Sequence, residues 1–127
     1  MSVARVLVAD DDPASLELVQ VYLESQGYEV ASVSDGNRAL ELSESGEFDL
    51  LILDIHMPVY EGVEVLQMLR KRFIHHPIKI IALTADTRPE LRDELVREGI
   101  DGYLTKPVSL ADLGQEITRL LRSSPGA

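Results

Sequence analysis

Two apolar runs of strand length each close on carboxylate: Val6-Leu7-Val8-Ala9 on Asp10-Asp11-Asp12, and Leu50-Leu51-Ile52-Leu53 on Asp54. If these runs are neighbouring buried strands, Asp10, Asp11 and Asp54 crowd one sheet edge. A hard divalent cation that takes oxygen ligands, such as Mg2+, relieves the repulsion between them and leaves an acidic nucleophile at the centre of a metal site. Further along, Ile80-Ile81-Ala82-Leu83 closes on Thr84-Ala85, and Gly102-Tyr103-Leu104-Thr105 on Lys106-Pro107. A lysine neutralises charge and a threonine hydroxyl donates to an anion, so the set suits a phosphoryl group held between cation, hydroxyl and metal. Each residue also has a plainer reading: Asp12 is a helix cap and not a ligand, Asp54 suits a turn, Thr84 the start of a loop, and Lys106 a solvated surface. Chemistry is favoured because all of them would meet at one edge.

That edge requires a particular architecture. Apolar runs at 5–9, 28–33, 50–53, 78–83 and 102–105 alternate with helical-period segments at 13–26, 37–45, 63–72, 89–98 and 110–122. Such alternation predicts an α/β domain, a parallel five-stranded sheet covered by helices on both faces. Ligands of such sheets sit beyond the carboxyl ends of the strands, where the strand order reverses. Asp12 as cap, Pro13 at the first helical position and Gly27 as stop bound the first helix. Gly46 and Gly99 end the second and fourth. The last segment sets Leu110, Leu113, Ile117, Leu120 and Leu121 against Asp112, Glu116 and Arg119, an amphipathic covering helix in which Gly114 costs about 1 kcal/mol relative to alanine.

The chain has 127 residues, enough for one domain with its own core. Residues 1–122 are expected to form it, with 123–127 as a linker or frayed tail. Without cysteine there is no thiolate metal site and no thiol nucleophile, and a reducing, cytoplasmic location is the plain expectation. No apolar stretch approaches the length of a membrane span. A formal net charge of −10 argues against direct nucleic-acid binding, which needs Lys and Arg to neutralise phosphates. The adjacent His75 and His76 read as solvated turn residues.

In order and spacing, four motifs make the chain strongly resemble the receiver domain of two-component response regulators, the CheY-like superfamily: Val6 to Pro13, Leu53-Asp54-Ile55-His56-Met57-Pro58 with Gly62, Leu83-Thr84-Ala85, and Gly102 to Pro107. The resemblance implies a flavodoxin-like strand order 2-1-3-4-5. It implies Asp54 as phosphoacceptor, taking a phosphoryl group from a sensor histidine kinase or histidine phosphotransfer protein. Asp11 and Asp54 are implied as direct Mg2+ ligands, with Asp10 acting mainly through water and the backbone carbonyl of His56 completing the set. Lys106, Thr84 and the backbone amides of His56 and Ala85 would bind the phosphoryl oxygens. A cis Lys106-Pro107 bond is implied, as is a Met57-Pro58 loop after the acceptor. Thr84 and Tyr103 would switch the surface of the fourth helix, fifth strand and fifth helix toward a downstream output domain or protein. His56 and Asp86 are expected to set the phosphoryl lifetime, and the chemistry to be self-catalysed phosphotransfer and autodephosphorylation only. Val108 departs from the common pattern, which has an aromatic after the Lys-Pro pair.

Two rival readings use the same residues. A haloacid-dehalogenase-type phosphatase would take Asp10 as nucleophile and Asp12 as acid, with Thr84 and Lys106 later, but it leaves Asp54 without a task, offers no second late acidic pair and leaves little chain for a substrate cap. A binding module with this fold and no phosphorylation would not need acceptor, acidic pair, Thr84 and Lys106 together.

Overall fold

The computed structural model describes residues 3–56, 62–72 and 78–122. Met57-Pro58, His75, His76 and the expected tail lie outside them. Ten elements alternate along the chain: β1 (Arg5–Ala9), α1 (Pro13–Ser25), β2 (Glu29–Val33), α2 (Gly36–Glu44), β3 (Leu50–Asp54), α3 (Gly62–Arg72), β4 (Lys79–Thr84), α4 (Pro89–Arg97), β5 (Gly102–Thr105) and α5 (Leu110–Arg122). All strand pairs are parallel, in the order β2-β1-β3-β4-β5. The order and the five βα units agree with the expectation.

Burial explains why the central strands carry unbroken apolar runs. Leu7, Ala9, Leu51, Leu53, Ile80 and Ala82 pack on one face with Ala39 and Leu40 of α2, Val65, Leu66 and Leu69 of α3, and Leu91 and Leu95 of α4. Val6, Val8, Leu50, Ile52, Ile81 and Leu83 point the other way, onto Val19 and Leu23 of α1 and Leu113, Ile117 and Leu120 of α5. Successive residues of a strand face opposite layers, so a strand covered on both sides must be apolar at every position.

Element ends differ from the sequence reading by a residue or so, each for a local reason. Tyr28 belongs to the turn closing α1, its amide donating to Leu23 O at 3.2 Å, and β2 therefore starts at Glu29. Gly27 makes that turn with φ +93°, a left-handed conformation that glycine adopts without the Cβ penalty. At the other end of α1, Asp12 Oδ1 accepts from the Ala14 amide at 3.1 Å, as a cap should. Asp54 and Thr84 are the last residues of their strands rather than the first after them, because Asp54 pairs with Leu83 and Thr84 with Thr105 in the ladder. Gly114 marks close packing: a Cβ there would collide with the Tyr22 hydroxyl of α1.

Candidate functional site

The register carries the site. Ala9 pairs with Leu53, Asp54 with Leu83, and Thr84 with Thr105, so the next residues Asp10 and Lys106 fall in line with Asp54 and Thr84 across four strands. Their backbones are fixed to neighbouring strands: Asp10 N donates to Val33 O at 3.1 Å, Ile55 N to Leu83 O at 3.0 Å, and Lys106 N to Thr84 O at 2.9 Å. The order along the sheet reverses at β1, whose neighbours β2 and β3 lead away in opposite directions, and the acidic cluster lies at that switch point.

Three of these side chains are almost wholly buried: Asp10 is 1 % exposed, Asp54 4 % and Thr84 0 %. The carboxylates of Asp10, Asp11 and Asp54 offer oxygens that all lie within 4.8 Å of one another, with Asp11 on the exposed side. Lys106 Nζ sits between the buried pair, 2.9 Å from Asp10 Oδ2 and 3.2 Å from Asp54 Oδ2. It donates hydrogen bonds to Asp54 Oδ2 (3.2 Å) and to Asp10 Oδ1 (3.1 Å), and the latter also accepts from the Asp12 amide at 3.0 Å. Asp10 Oδ2 is close to the ammonium but receives no hydrogen bond. Asp54 Oδ1 accepts from the His56 amide at 3.1 Å. The Lys106-Pro107 bond is cis, as expected.

Electrostatics divides the two buried carboxyls. Burial pushes the Asp54 carboxyl up to about 6, with the adjacent Asp10 adding to the rise and the His56 amide opposing it. Burial acts on Asp10 too, but the Asp12 amide and Lys106 outweigh it, and its pKa ends below the ordinary carboxylate value. Lys106 is held above its ordinary value because the two carboxylates overcome the cost of its partial burial. One ammonium thus pairs with two of three clustered carboxylates. An all-oxygen donor set with surplus negative charge and a buried oxygen lacking a hydrogen bond fits a hard cation such as Mg2+.

Of the described residues of the sequence-derived site, Asp10, Asp11, Asp54, His56, Thr84, Ala85 and Lys106 lie at this edge, and Tyr103 stands within β5, paired with Ala82. Thr84 accepts the Asp86 amide at 2.9 Å, and Ala85 follows it on the exposed side. Tyr103 is half-buried, its hydroxyl donating to Asp86 O at 3.1 Å. Two partners were not singled out in the sequence. Arg88 chelates Asp86, and the Arg92 guanidinium lies 5.3 Å from the centre of the Tyr103 ring. The spacing Asp86-Thr87-Arg88 before Pro89 is a signal that could have revealed the first; the second depends on how α4 packs beside β5.

A profile of the response regulator receiver domain matches residues 6–118. The chain belongs to the receiver-domain family. It is 37% identical over 118 residues to the sensor histidine kinase GacS of Pseudomonas protegens, a match covering 91% of this chain and 13% of the kinase. Against the alkaline phosphatase synthesis transcriptional regulatory protein PhoP of Bacillus subtilis the identity is 36%, over 94% of this receiver chain and 49% of the regulator. The chain therefore spans half or less of the length of these relatives. Among solved structures, chemotaxis response regulator CheY4 of Vibrio cholerae superposes with a TM-score of 0.86 at 33% identity, covering 94% of this chain and 99% of that one. The receiver domain of sensor histidine kinase PA1611 from Pseudomonas aeruginosa, which carries a magnesium ion in its active-site cleft, gives 0.87 at 29% identity, covering 96% of this chain and 100% of that one. Receiver domains thus occur both within kinases and within transcriptional regulators related to this one, and the phosphoacceptor role of the family fits the site. No helix among the described residues is long and apolar enough to cross a membrane.

Proposed function

We propose that Asp54 accepts a phosphoryl group from the phosphohistidine of a sensor kinase or phosphotransfer protein, and that α4, β5 and α5 display the result to an output domain or protein. The observation that carries this reading is the placement of Lys106 Nζ between two buried carboxylates, with a third, exposed carboxylate beside them. In the transfer, an Asp54 oxygen attacks phosphorus, the new O–P bond forms as the N–P bond to the donor imidazole breaks, and the imidazole departs with the electron pair. Hydrolysis returns the carboxylate and releases inorganic phosphate.

Asp10, Asp11, Asp54 and the His56 carbonyl would hold Mg2+. When bound there, the cation supplies charge neutralisation between acceptor and anionic donor. Lys106 is the cation for the phosphoryl oxygens, a reading supported by its contacts of 2.9 Å with Asp10 and 3.2 Å with Asp54. The Thr84 hydroxyl and the amides of His56 and Ala85 supply neutral donors, and the His56 amide already rests on Asp54. His56 and Asp86 border the acceptor region and regulate water access, hence phosphoryl lifetime.

Incubating the protein with a phosphorylated histidine phosphotransfer protein and Mg2+, then measuring intact mass, tests this. The expected result is a gain of one phosphoryl group that a chelator abolishes and that Asp54→Ala lacks. Uptake that persists in Asp54→Ala contradicts it.

A further inference from the structure

Thr84 and Tyr103 are tied to the same residue. The fully buried Thr84 hydroxyl accepts the Asp86 amide at 2.9 Å, and the Asp86 carbonyl accepts the Tyr103 hydroxyl at 3.1 Å. Asp86 is a loop residue, and its own side chain is held by Arg88. The Arg88 amide donates to Oδ1 at 3.1 Å, Nε to Oδ1 and Oδ2 at 2.9 and 3.0 Å, and Nη2 to Oδ2 at 2.6 Å. This is the planar fork that matches a carboxylate and that lysine cannot reproduce. One helical turn later, Arg92 places its guanidinium over the Tyr103 ring, and its amide donates to Arg88 O at 3.3 Å. The acceptor chemistry uses neither arginine.

Asp86 thus joins Thr84 to Tyr103, the two residues the family's switch uses, and we propose that Arg88, the cap residue before α4, and Arg92 within α4 are positioning residues that hold this joint so that the two sides move together. A shift of the Thr84 hydroxyl pulls on the Asp86 amide. With the Asp86 side chain clamped, the loop turns as one piece, and its carbonyl carries Tyr103 and α4 with it. Without the clamp, the loop accommodates the shift by bending at Asp86, and Tyr103 stays where it is. An exposed ion pair contributes little to global stability, so the consequence falls on coupling rather than on folding.

The proposal rests on the acceptor reading of Asp54, and the test separates the two. Tyr103 is replaced by 3-fluorotyrosine, and its fluorine resonance is followed while beryllium fluoride and Mg2+, a phosphoryl mimic, are added. In the otherwise unaltered protein the resonance moves. In Arg88→Ala the movement falls to about half or less, while the initial rate of phosphoryl uptake from acetyl phosphate and the melting temperature stay as they were. Arg88→Lys behaves like Arg88→Ala, because it keeps the charge and loses the fork. A full movement in both Arg88 variants overturns the proposal. Loss of uptake in Arg88→Ala also overturns it, since the arginine would then belong to the acceptor site. A resonance that stays fixed in the unaltered Arg88 protein, with no phosphoryl uptake, overturns the acceptor reading and the joint with it; a fixed resonance with normal uptake overturns the joint alone.

Discussion

Lys106→Met destabilises the magnesium-free protein by about 2–3 kcal/mol near neutral pH, because removing one partner of a buried pair leaves the other charges uncompensated. The Lys106 side chain is 21 % exposed, whereas those of Asp10 and Asp54 are 1 % and 6 % exposed, so the carboxylates depend on this ammonium more than it depends on them. The sign follows from the raised pKa of Lys106. Its contribution is fully present below the ordinary lysine value of 10.5 and is lost as pH rises through the higher folded value. Chemical denaturation with and without Mg2+ checks this. Mg2+ is expected to restore most of the loss in Lys106→Met, since a divalent cation among three carboxylates replaces the missing charge. Equal stabilisation of both proteins by Mg2+ would contradict the account.

The second large effect has the opposite sign. Asp54→Asn is expected to stabilise the magnesium-free protein by about 1–3 kcal/mol at neutral pH, since a neutral amide neither repels Asp10 nor needs a proton to be buried. Burial and Asp10 raise the Asp54 carboxyl from 3.8 to about 6, against the pull of the His56 amide. Below 3.8 both folded and unfolded chains carry the proton, and Asp54 imposes no penalty. As pH climbs through about 6 the folded protein must ionise a carboxyl that the unfolded chain ionises more readily, and stability falls. The gap between Asp54→Asn and the parent therefore opens between about pH 4 and neutrality. Melting curves across that range, in chelator, measure it. Adding Mg2+ closes the gap by stabilising the parent alone; a gap independent of both pH and Mg2+ would remove the electrostatic explanation.

The sheet was legible because β1, β3 and β4 are buried on both faces and so announce themselves as unbroken apolar runs. Helix α1 was legible through Asp12, Pro13 and Gly27, each marking an end for its own physical reason. The acidic cluster was legible once those strands were placed, since Asp10 and Asp54 stand directly after or at the end of adjacent ones. Less visible was which strand end counts as strand: Asp54 and Thr84 look like loop residues in sequence, and only their ladder partners Leu83 and Thr105 draw them into the sheet. The contacts of Arg88 and Arg92 were harder to read. The spacing Asp86-Thr87-Arg88 before Pro89 hints at the fork on Asp86, but whether the two side chains meet depends on loop geometry. Contact between Arg92 and Tyr103 depends on how α4 lies beside β5, for which composition and periodicity carry no signal. Gly114, an apparent weakness inside an amphipathic helix, gained a reason only from Tyr22 on a different element.

The most direct measurement is the location of the acquired phosphoryl group. After treatment with acetyl phosphate and Mg2+, borohydride reduces an aspartyl phosphate to homoserine, and peptide mass spectrometry finds the altered residue. The account predicts homoserine at position Asp54 and nowhere else, absent when a chelator is present. Modification at Asp10 or Asp11 with Asp54 intact, or no modification at all, would contradict it.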